Sequence, residues 1–290
     1  LPCLAQKALS PRQYRSHLLQ LRFYTFCSKN GVEFFDWNGV AHCTIDQCGV
    51  RATYPFEKPK TNFPIQAVLM DLDGTTVISE EFWIYLIEKT IQNITTPSFK
   101  LSNEDIPFVS GFSTAEHLEY CLKKYKIDKT VFDALNAYHT AAEFELGEIM
   151  QGRGNQEAFK PRKGLKEFLY ALKSKGIKIG LATSGLDYKA IPEIVSCFNV
   201  LGMGDPLKFY DAIITGGRRK GRGEYGTIGE LAVKPHPWIY SELAKGLGVD
   251  VDKCIVIEDS SAGLLSGRLA GINVIGFKDG NLIQSGLHEE

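Results

Sequence analysis

The sequence predicts an α/β fold with a doubly wound parallel sheet as its core, and three observations lead to this fold class. Apolar runs of strand length alternate with amphipathic stretches of helix length from residue 164 onward, which is typical of a parallel sheet covered on both faces. The run 67–70 is wholly apolar, as expected of a strand buried on both sides. Residues 80–158, between these two parts, have helical periodicity and predict an inserted helical domain.

Composition limits the classes of protein to which the chain can belong. Its 290 residues are enough for one large domain or two modest ones, and 44% hydrophobic with 23% charged residues is typical of a globular protein. A formal net charge of −1 gives no global field that would attract nucleic acid or an acidic membrane. No apolar run approaches the ~20 residues of a transmembrane helix. We therefore expect a soluble protein whose partner is neither nucleic acid nor membrane.

The seven cysteines are odd in number and scattered, and none has CxxC spacing. This pattern favours reduced thiols in an intracellular protein over a disulfide framework or a zinc site. Cys43 and Cys48 form the one close pair in the sequence.

Residues 1–61 are predicted to be an N-terminal extension. Its segment 1–32 contains Lys and Arg but no Asp or Glu, which resembles an organelle transit peptide and is equally typical of a truncated or extraneous leader. The expected location is therefore the cytoplasm, or an organelle if the segment is a transit peptide. Ser10-Pro11 is expected to cap a helix that runs to about Cys27 and ends at Asn30-Gly31.

The rest of the extension predicts a hairpin and a linker. Two short runs, 32–37 and 40–45, are joined by Asn38-Gly39, a dipeptide typical of tight β-hairpin turns. The prolines of 54–64 indicate a linker, so the catalytic domain is expected to begin near Asn62.

Residues 80–158 predict three helices. The first begins after Ser79, where apolar residues recur at helical spacing. The second, 117–125, is opened by Ser113-Thr114-Ala115-Glu116, in which a Ser or Thr is followed three residues later by Glu. The third is expected at 130–149.

From residue 164 the chain is predicted to alternate between helices and strands. The predicted helices are 165–175, 191–198, 237–247 and 262–270, and the predicted strands are 177–182, 211–215, 254–257 and 272–277. Ligands bind at the carboxyl ends of the strands in sheets of this kind, so the residues that follow the strands are candidates for one shared site.

The first strand ends in two carboxylates one residue apart, Asp71 and Asp73, followed by Gly74, Thr75 and Thr76. On a continued strand the two carboxylates would point the same way and repel, unless they share a cation or one of them stays protonated. The alternative interpretation is a solvated strand end followed by a turn.

Three further groups follow later elements of the predicted sheet. Strand 177–182 ends in Thr183-Ser184-Gly185, Lys234 precedes a helix, and strand 254–257 is followed by Glu258-Asp259. So many acidic groups need a hard cation, and carboxylate oxygens suit Mg²⁺. The ammonium and the hydroxyl complement a phosphate. As alternatives, Thr183 caps a turn and Lys234 is a surface lysine.

This set resembles the haloacid dehalogenase (HAD) superfamily, in the subgroup of phosphatases and β-phosphoglucomutases that have a helical cap. The motifs stand in the family order: Asp71-Leu72-Asp73-Gly74-Thr75, Thr183, Lys234 and Glu258-Asp259. The resemblance covers about residues 62–280. It implies a Rossmann-like core formed by 62–79 and 159–290, with 80–158 as a cap that closes over the substrate.

The resemblance also implies a Mg²⁺-dependent phosphatase that acts on a small phosphorylated metabolite, for example a sugar phosphate, through an aspartyl phosphate. Asp71 would be the nucleophile, and Asp73 the general acid for the leaving oxygen and then the base for water. The metal would be held by Asp71, the Asp73 backbone carbonyl and Asp259, with Glu258 as a further ligand or a support.

Phosphate binding falls, by the same resemblance, to groups around the nucleophile. They are the side chains of Thr183, Ser184 and Lys234 and the backbone amides of Leu72 and Gly74.

The cap departs from the mutase branch of the family. That branch carries a Gly-apolar-Ser-Arg run, whereas the matching stretch here is Gly111-Phe112-Ser113-Thr114, with Ser113 and Thr114 as candidate substrate-binding residues. The missing arginine favours simple hydrolysis. A phosphomutase is the alternative within the enzyme class, and a non-catalytic binding or regulatory protein is the alternative outside it.

A basic segment, 216–223, follows the strand 211–215. Its arginines, Arg218 and Arg219 among them, are candidates for binding a second anionic group of the substrate. The alternative is a solvated insertion, which is the usual role of a Gly-rich charged run.

Overall fold

The computed structural model describes residues 23–29, 31–47, 50–108, 114–217 and 234–277. Contacts within the chain divide it into two compact units, Leu1–Lys58 and Pro59–Glu290. Among the helices of the described ranges, none is long and apolar enough to cross a membrane.

The first unit contains a four-stranded antiparallel sheet in which each strand pairs with the next along the chain. Its strands are β1 (Phe23–Lys29), β2 (Val32–Trp37), β3 (Val40–Gln47) and β4 (Val50–Pro55). Asn38 and Gly39 both have positive φ, 55° and 82°, which is the geometry of the turn that the dipeptide predicts. The predicted hairpin is thus confirmed, with Trp37 opposite Val40.

The helix predicted to run to Cys27 is wrong where the structure describes it. Residues 23–27 belong to β1, which pairs antiparallel with β2, and residues 1–22 lie outside the described ranges. The reason lies in composition, because Phe23-Tyr24-Thr25-Phe26 is rich in aromatic and β-branched residues, which favour strands. The predicted linker also begins later than expected, because Tyr54 and Pro55 end β4.

The second unit is built on a five-stranded parallel sheet of order β11-β10-β5-β8-β9, which confirms the predicted fold class. Its strands are β5 (Ala67–Asp71), β8 (Lys178–Ala182), β9 (Ala212–Ile214), β10 (Cys254–Glu258) and β11 (Asn273–Gly276). All five residues of the central strand β5 are buried, as its apolar run predicts.

The helices described in the second unit are α1 (Glu80–Ile94), α2 (Thr114–Lys124), α3 (Val131–Met150), α4 (Leu165–Ser174), α5 (Asp187–Leu201), α6 (Pro206–Phe209), α7 (Trp238–Leu247) and α8 (Ser261–Leu269). Of these, α4, α7 and α8 contact the strands of the parallel sheet, whereas α1, α2 and α3 pack chiefly on one another and on α5. Side chains alternate along β5: Val68 and Met70 belong to one buried apolar cluster, and Leu69 belongs to the other, together with Leu243 of α7. The predicted helices are present, α5 begins earlier than expected, and α6 was not predicted.

The inserted segment 80–158 contributes α1, α2 and α3. Thr130 caps α3 in a reciprocal capping box with Asp133. The chain enters and leaves the insertion through two short strands, β6 (Val77–Ile78) and β7 (Lys160–Pro161), which pair antiparallel. The role of this segment as a cap that closes over a substrate, and the domain limits, stay predictions.

Candidate active site

The carboxyl ends of the central strands bring the predicted acidic and basic groups together. Asp71 is the last residue of β5, and Glu258 is the last residue of β10, which pairs with β5 on one side. On the other side Asp71 pairs with Ala182 of β8, so Thr183 follows directly beside the acidic residue. Lys234 reaches this edge from the turn before α7.

Lys234 joins two of the buried carboxylates. Its Nζ is hydrogen-bonded to Asp71 Oδ1 and lies 2.6 Å from Oε1 of Glu258, and its side chain is 7% exposed. Burial alone would lower the pKa of Lys234, but the charges of Asp71 and Glu258 raise it well above its ordinary value. Lys234 is therefore an ammonium held inside the protein, and the surface alternative is wrong.

Three buried carboxylates, from Asp71, Glu258 and Asp259, each present an oxygen within 4.8 Å of the others. Burial, the charge of Glu258 and the charge of Asp259 raise the pKa of Asp71 well above its ordinary range, although Lys234 lowers it in part. One ammonium thus offsets three carboxylates incompletely. A divalent cation with oxygen preference, such as Mg²⁺, fits this donor set and this excess of negative charge.

Glu258 is fully engaged by protein donors. Its Oε1 accepts from Lys234 and from the hydroxyl of Tyr240 at 2.8 Å, and its Oε2 accepts from the amides of Asp259 and Ser260 and from the Ser260 hydroxyl, each at 3.0 Å. These bonds fix the turn that presents Asp259. Oδ1 of Asp259 in turn accepts a hydrogen bond from Thr75 at 3.2 Å.

The carboxylate of Asp73 lies in a different setting from that of Asp71. Strand β5 ends at Asp71, so the argument from strand alternation does not extend to Asp73. Oδ1 of Asp73 accepts from Ser79 Oγ at 2.9 Å and from Trp83 Nε1 at 2.6 Å, while Oδ2 faces the Thr183 hydroxyl at 3.4 Å. Asp73 is thereby held between the first turn of α1 and the loop after β8.

The predicted hydroxyls after β8 lie at the site. Thr183 is 2% exposed, and its Oγ1 accepts from the amide of Gly185 at 2.9 Å, which leaves its own proton to point at Asp73. Ser184 Oγ accepts from the backbone amide of Lys234 at 3.2 Å. The loop after β8 and the segment before α7 are thus joined at the position where a phosphate is expected.

One predicted phosphate-binding group is engaged elsewhere. The amide of Gly74 donates to the carbonyl of Val77 at 2.7 Å, so it is not free for a phosphate, and this part of the prediction is corrected. The turn needs that bond because the chain reverses there, with Gly74 at φ 80°. Leu72 is buried directly after Asp71, and the role of its amide stays a prediction.

Five side chains of the site were not predicted: Thr75, Ser79, Trp83, Tyr240 and Ser260. Ser79 has the sequence signature of a helix cap, but its hydroxyl makes no cap bond and donates to Asp73 instead. Trp83 fits the apolar periodicity of α1. In the sequence, only the proximity of Ser79 and Trp83 to the Asp71–Asp73 motif could have indicated their contacts.

The candidate substrate-binding residues are less fully described. Ser113, Arg218, Arg219 and the basic segment beyond Gly217 lie outside the described residues, as does Cys48. Thr114 is the first residue of α2 and is partly exposed, and its role stays a prediction.

Comparisons with known proteins agree with this geometry. A family model described as haloacid dehalogenase-like hydrolase matches residues 65–271. A phosphorylated carbohydrates phosphatase from Thermotoga maritima is 24% identical over 212 residues, which are 73% of this chain and 84% of that protein. The chloroplastic protein SUPPRESSOR OF QUENCHING 1 of Arabidopsis thaliana is 30% identical over 285 residues, which cover 93% of this chain and 23% of that protein. The crystal structure of CbbY from Rhodobacter sphaeroides in complex with phosphate has the same fold, with a TM-score of 0.55 and 21% identity over 73% of this chain and 85% of that one.

Proposed function

The chain belongs to the haloacid dehalogenase-like hydrolases, as a phosphoric monoester hydrolase, and we propose that it releases phosphate from a small phosphorylated metabolite through an aspartyl phosphate, with Mg²⁺ as cofactor. The observation that carries the proposal is the bridge that Lys234 makes between Asp71 and Glu258 within three buried carboxylates. A sugar phosphate is the substrate class we favour, because the Thermotoga maritima relative is named for phosphorylated carbohydrates.

Asp71 is the nucleophile in this proposal. One of its oxygens attacks phosphorus, the bond from phosphorus to the leaving oxygen breaks, and the phosphoryl group moves onto the carboxylate. Water then attacks phosphorus, which frees Asp71 and releases inorganic phosphate. Splitting one displacement into two allows the same carboxylate to be used in every cycle.

Asp73 transfers the proton in both steps of this proposal. In the first step it gives a proton to the leaving oxygen, and in the second it takes one from the attacking water. Hydrogen bonds from Ser79 and Trp83 hold its carboxylate, which is not one of the three that form the acidic cluster.

Lys234, Thr183 and Ser184 contribute the positive charge and the hydroxyls that bind the oxygens of the transferring group. Because Lys234 is already aligned on Asp71 by Glu258, little rearrangement is needed when a phosphate arrives. The ammonium then offsets part of the repulsion between an anionic nucleophile and an anionic ester.

The cation would be held by Asp71, Asp259 and the backbone carbonyl of Asp73. When bound, Mg²⁺ neutralises charge on the phosphate and on the acidic cluster. We assign Glu258 to the support of Lys234 and of the Asp259 turn, because both of its oxygens already accept hydrogen bonds from the protein.

The experiment measures phosphate release from a panel of sugar phosphates and other small phosphate esters, with MgCl₂ and with EDTA. Asp71→Asn keeps the shape of the side chain but removes the nucleophile, so we expect the rate to fall by at least about 10³-fold. Asp128→Asn, which changes an exposed carboxylate, is the matched control and should behave as the wild type.

Other results point to the alternatives. Release that continues unchanged in Asp71→Asn contradicts the aspartyl-phosphate route. A wild-type protein that releases no phosphate but interconverts sugar phosphates when a sugar bisphosphate is added is a mutase. A protein that binds Mg²⁺ and does neither is a binding protein.

A further inference from the structure

The orientation of Asp73 depends on a short hydrogen bond from a tryptophan. Trp83 Nε1 donates to Asp73 Oδ1 at 2.6 Å, and Ser79 donates to the same oxygen at 2.9 Å. A carboxylate oxygen that already accepts two hydrogen bonds is less readily protonated than one that accepts fewer. The proton that Asp73 transfers therefore belongs on Oδ2, which faces the Thr183 side of the site.

Lys189 covers one face of that tryptophan. Its Nζ lies 4.0 Å from the centroid of the Trp83 ring, well within the ~6 Å range of a cation–π contact. The same Nζ donates to the hydroxyl of Tyr138 at 3.0 Å. Lys189 is in the first turn of α5, close behind Thr183, whereas Trp83 lies on α1 and Tyr138 on α3.

The groups around Lys189 keep its side chain positively charged. Burial by itself would lower the pKa of Lys189, but Tyr138, Asp73 and Glu193 raise it, so the side chain stays an ammonium. Glu193, on the next turn of α5, is 1% exposed, and burial together with the charge of Asp73 raises its pKa well above the ordinary range. Lys189 and Ser79 lower the pKa of Glu193 in part, so the two side chains of α5 stabilise each other beside Asp73.

A cation on the indole face has two physical effects. It draws electron density from the ring, which makes the indole N–H a stronger donor to a carboxylate. It also blocks rotation of the ring, so that the N–H stays directed at Asp73.

We propose that Lys189 is a positioning residue for leaving-group departure: by covering the face of Trp83 it keeps the indole N–H on Oδ1 of Asp73 and so presents Oδ2 to the leaving oxygen. This inference rests on the proposed function, in which Asp73 is the general acid. It adds a residue that touches neither the phosphate site nor the acidic cluster.

The test compares two esters that differ in their need for a proton. Glucose 6-phosphate loses an alkoxide, which must be protonated as it leaves, whereas 4-nitrophenyl phosphate loses a stable phenolate that needs little help. The kcat/KM value reports the steps up to leaving-group departure. A positioning role therefore lowers kcat/KM for the first ester and spares the second, while general damage lowers both.

We divide kcat/KM for glucose 6-phosphate by kcat/KM for 4-nitrophenyl phosphate and expect Lys189→Met to lower this ratio by about tenfold. General acid catalysis as a whole contributes about 10²- to 10⁴-fold to a rate, so the expected loss is a part of it. Lys189→Arg keeps the cation and should restore most of the ratio. Trp83→Phe keeps the ring but removes the N–H and should reproduce the defect. Combining Trp83→Phe with Lys189→Met should add little, because both changes act through one hydrogen bond.

Lys175→Met, at an exposed lysine, is the matched control and should leave both values unchanged. Equal losses for the two esters in Lys189→Met, or an unchanged ratio in Trp83→Phe, would overturn the proposal.

Asp73→Asn separates this failure from failure of the proposed function. If Asp73→Asn lowers the ratio and the Lys189 and Trp83 variants do not, only the positioning role is wrong; if Asp73→Asn leaves the ratio unchanged, the general-acid assignment itself is wrong.

Discussion

Gly74 lies where the loop after β5 meets the turn that carries Asp259. Its φ is 80°, a backbone conformation that side chains with a Cβ disfavour. A Cβ built at this position would also clash with the carboxylate of Asp259. Both the backbone turn and the approach of the acidic residue thus require a glycine, which explains Asp-x-Asp-Gly in physical terms.

Gly74→Ala should therefore disturb the acidic cluster more than the fold. The left-handed backbone adds a penalty of about 1 kcal/mol, and the displaced Asp259 should abolish the rise in melting temperature that MgCl₂ gives the wild type. Gly176→Ala is the matched control, because Gly176 has φ 69° but open space around its Cβ position. It should lose similar stability and keep the response to MgCl₂. A full MgCl₂ response in Gly74→Ala would contradict the role given to Asp259.

Single residues also mark the limit of what this sequence could predict. Asp71 and Asp259 were predicted because each belongs to a pair of acidic residues that follows a predicted strand, and Lys234 because it stands in the family order of motifs. Trp83 and Tyr240 were not, because an aromatic residue on a helix is explained equally well by packing. The hydrogen bonds from Trp83 to Asp73 and from Tyr240 to Glu258 are visible only in the folded structure.

At the scale of elements, the strong periodic segments were predicted and the weak ones were not. The buried strands β5 and β10 and the amphipathic helix α7 follow from their apolar patterns. Residues 23–27, the described part of the helix expected up to Cys27, belong to β1, because pairing with β2 supplies hydrogen bonds between strands that capping signals do not report. The four residues of α6 are too few for periodicity to detect.

The loop between α1 and α2 is fastened by one buried carboxylate, that of Asp105. It is 0% exposed and accepts hydrogen bonds from Ser102, Tyr120, Lys124 and Tyr125. Burial alone would raise the pKa of Asp105, but these donors outweigh burial and lower it. The charged form therefore holds the part of the loop around Asp105 to the end of α2.

Asp105→Asn should destabilise the protein at pH 7 by about 2 kcal/mol, since donors matched to a carboxylate would face an amide. A carboxyl group whose pKa is lower in the folded state stabilises above its unfolded pKa of about 3.9, and this contribution is lost as the pH falls towards the folded value. The difference in the free energy of unfolding between the wild type and Asp105→Asn, measured with urea, should therefore be largest near pH 7 and become smaller below about pH 4. Asp128→Asn should show no difference, and a gap that stays constant down to pH 3 would contradict the charged network.

At the scale of the whole molecule, the site belongs entirely to the second unit. Asp71, Asp73, Thr183, Lys234 and Asp259 all follow Pro59, while the first unit has its own buried residues, such as Phe34 and Ile45. That the site residues lie together could be predicted from the sequence, because the carboxyl ends of parallel strands lie at one edge of the sheet. The antiparallel sheet of the first unit was predicted only in part: β2 and β3 were expected, whereas the residues of β1 were placed in a helix and the end of β4 in a linker.

This division predicts that residues 59–290 fold and act alone. Asn62 and Gln66 donate backbone hydrogen bonds to the carbonyls of Asp252 and Lys253, at 2.7 Å and 2.9 Å, and so fasten the start of β5 to the segment before β10. A protein that begins at Pro59 keeps these bonds, and its kcat/KM for the best substrate should stay within about twofold of the full chain. A protein that begins at Ala67 loses them and should have a lower melting temperature. A drop in kcat/KM of more than about tenfold for 59–290, with its melting temperature unchanged, would show instead that the first unit takes part in catalysis.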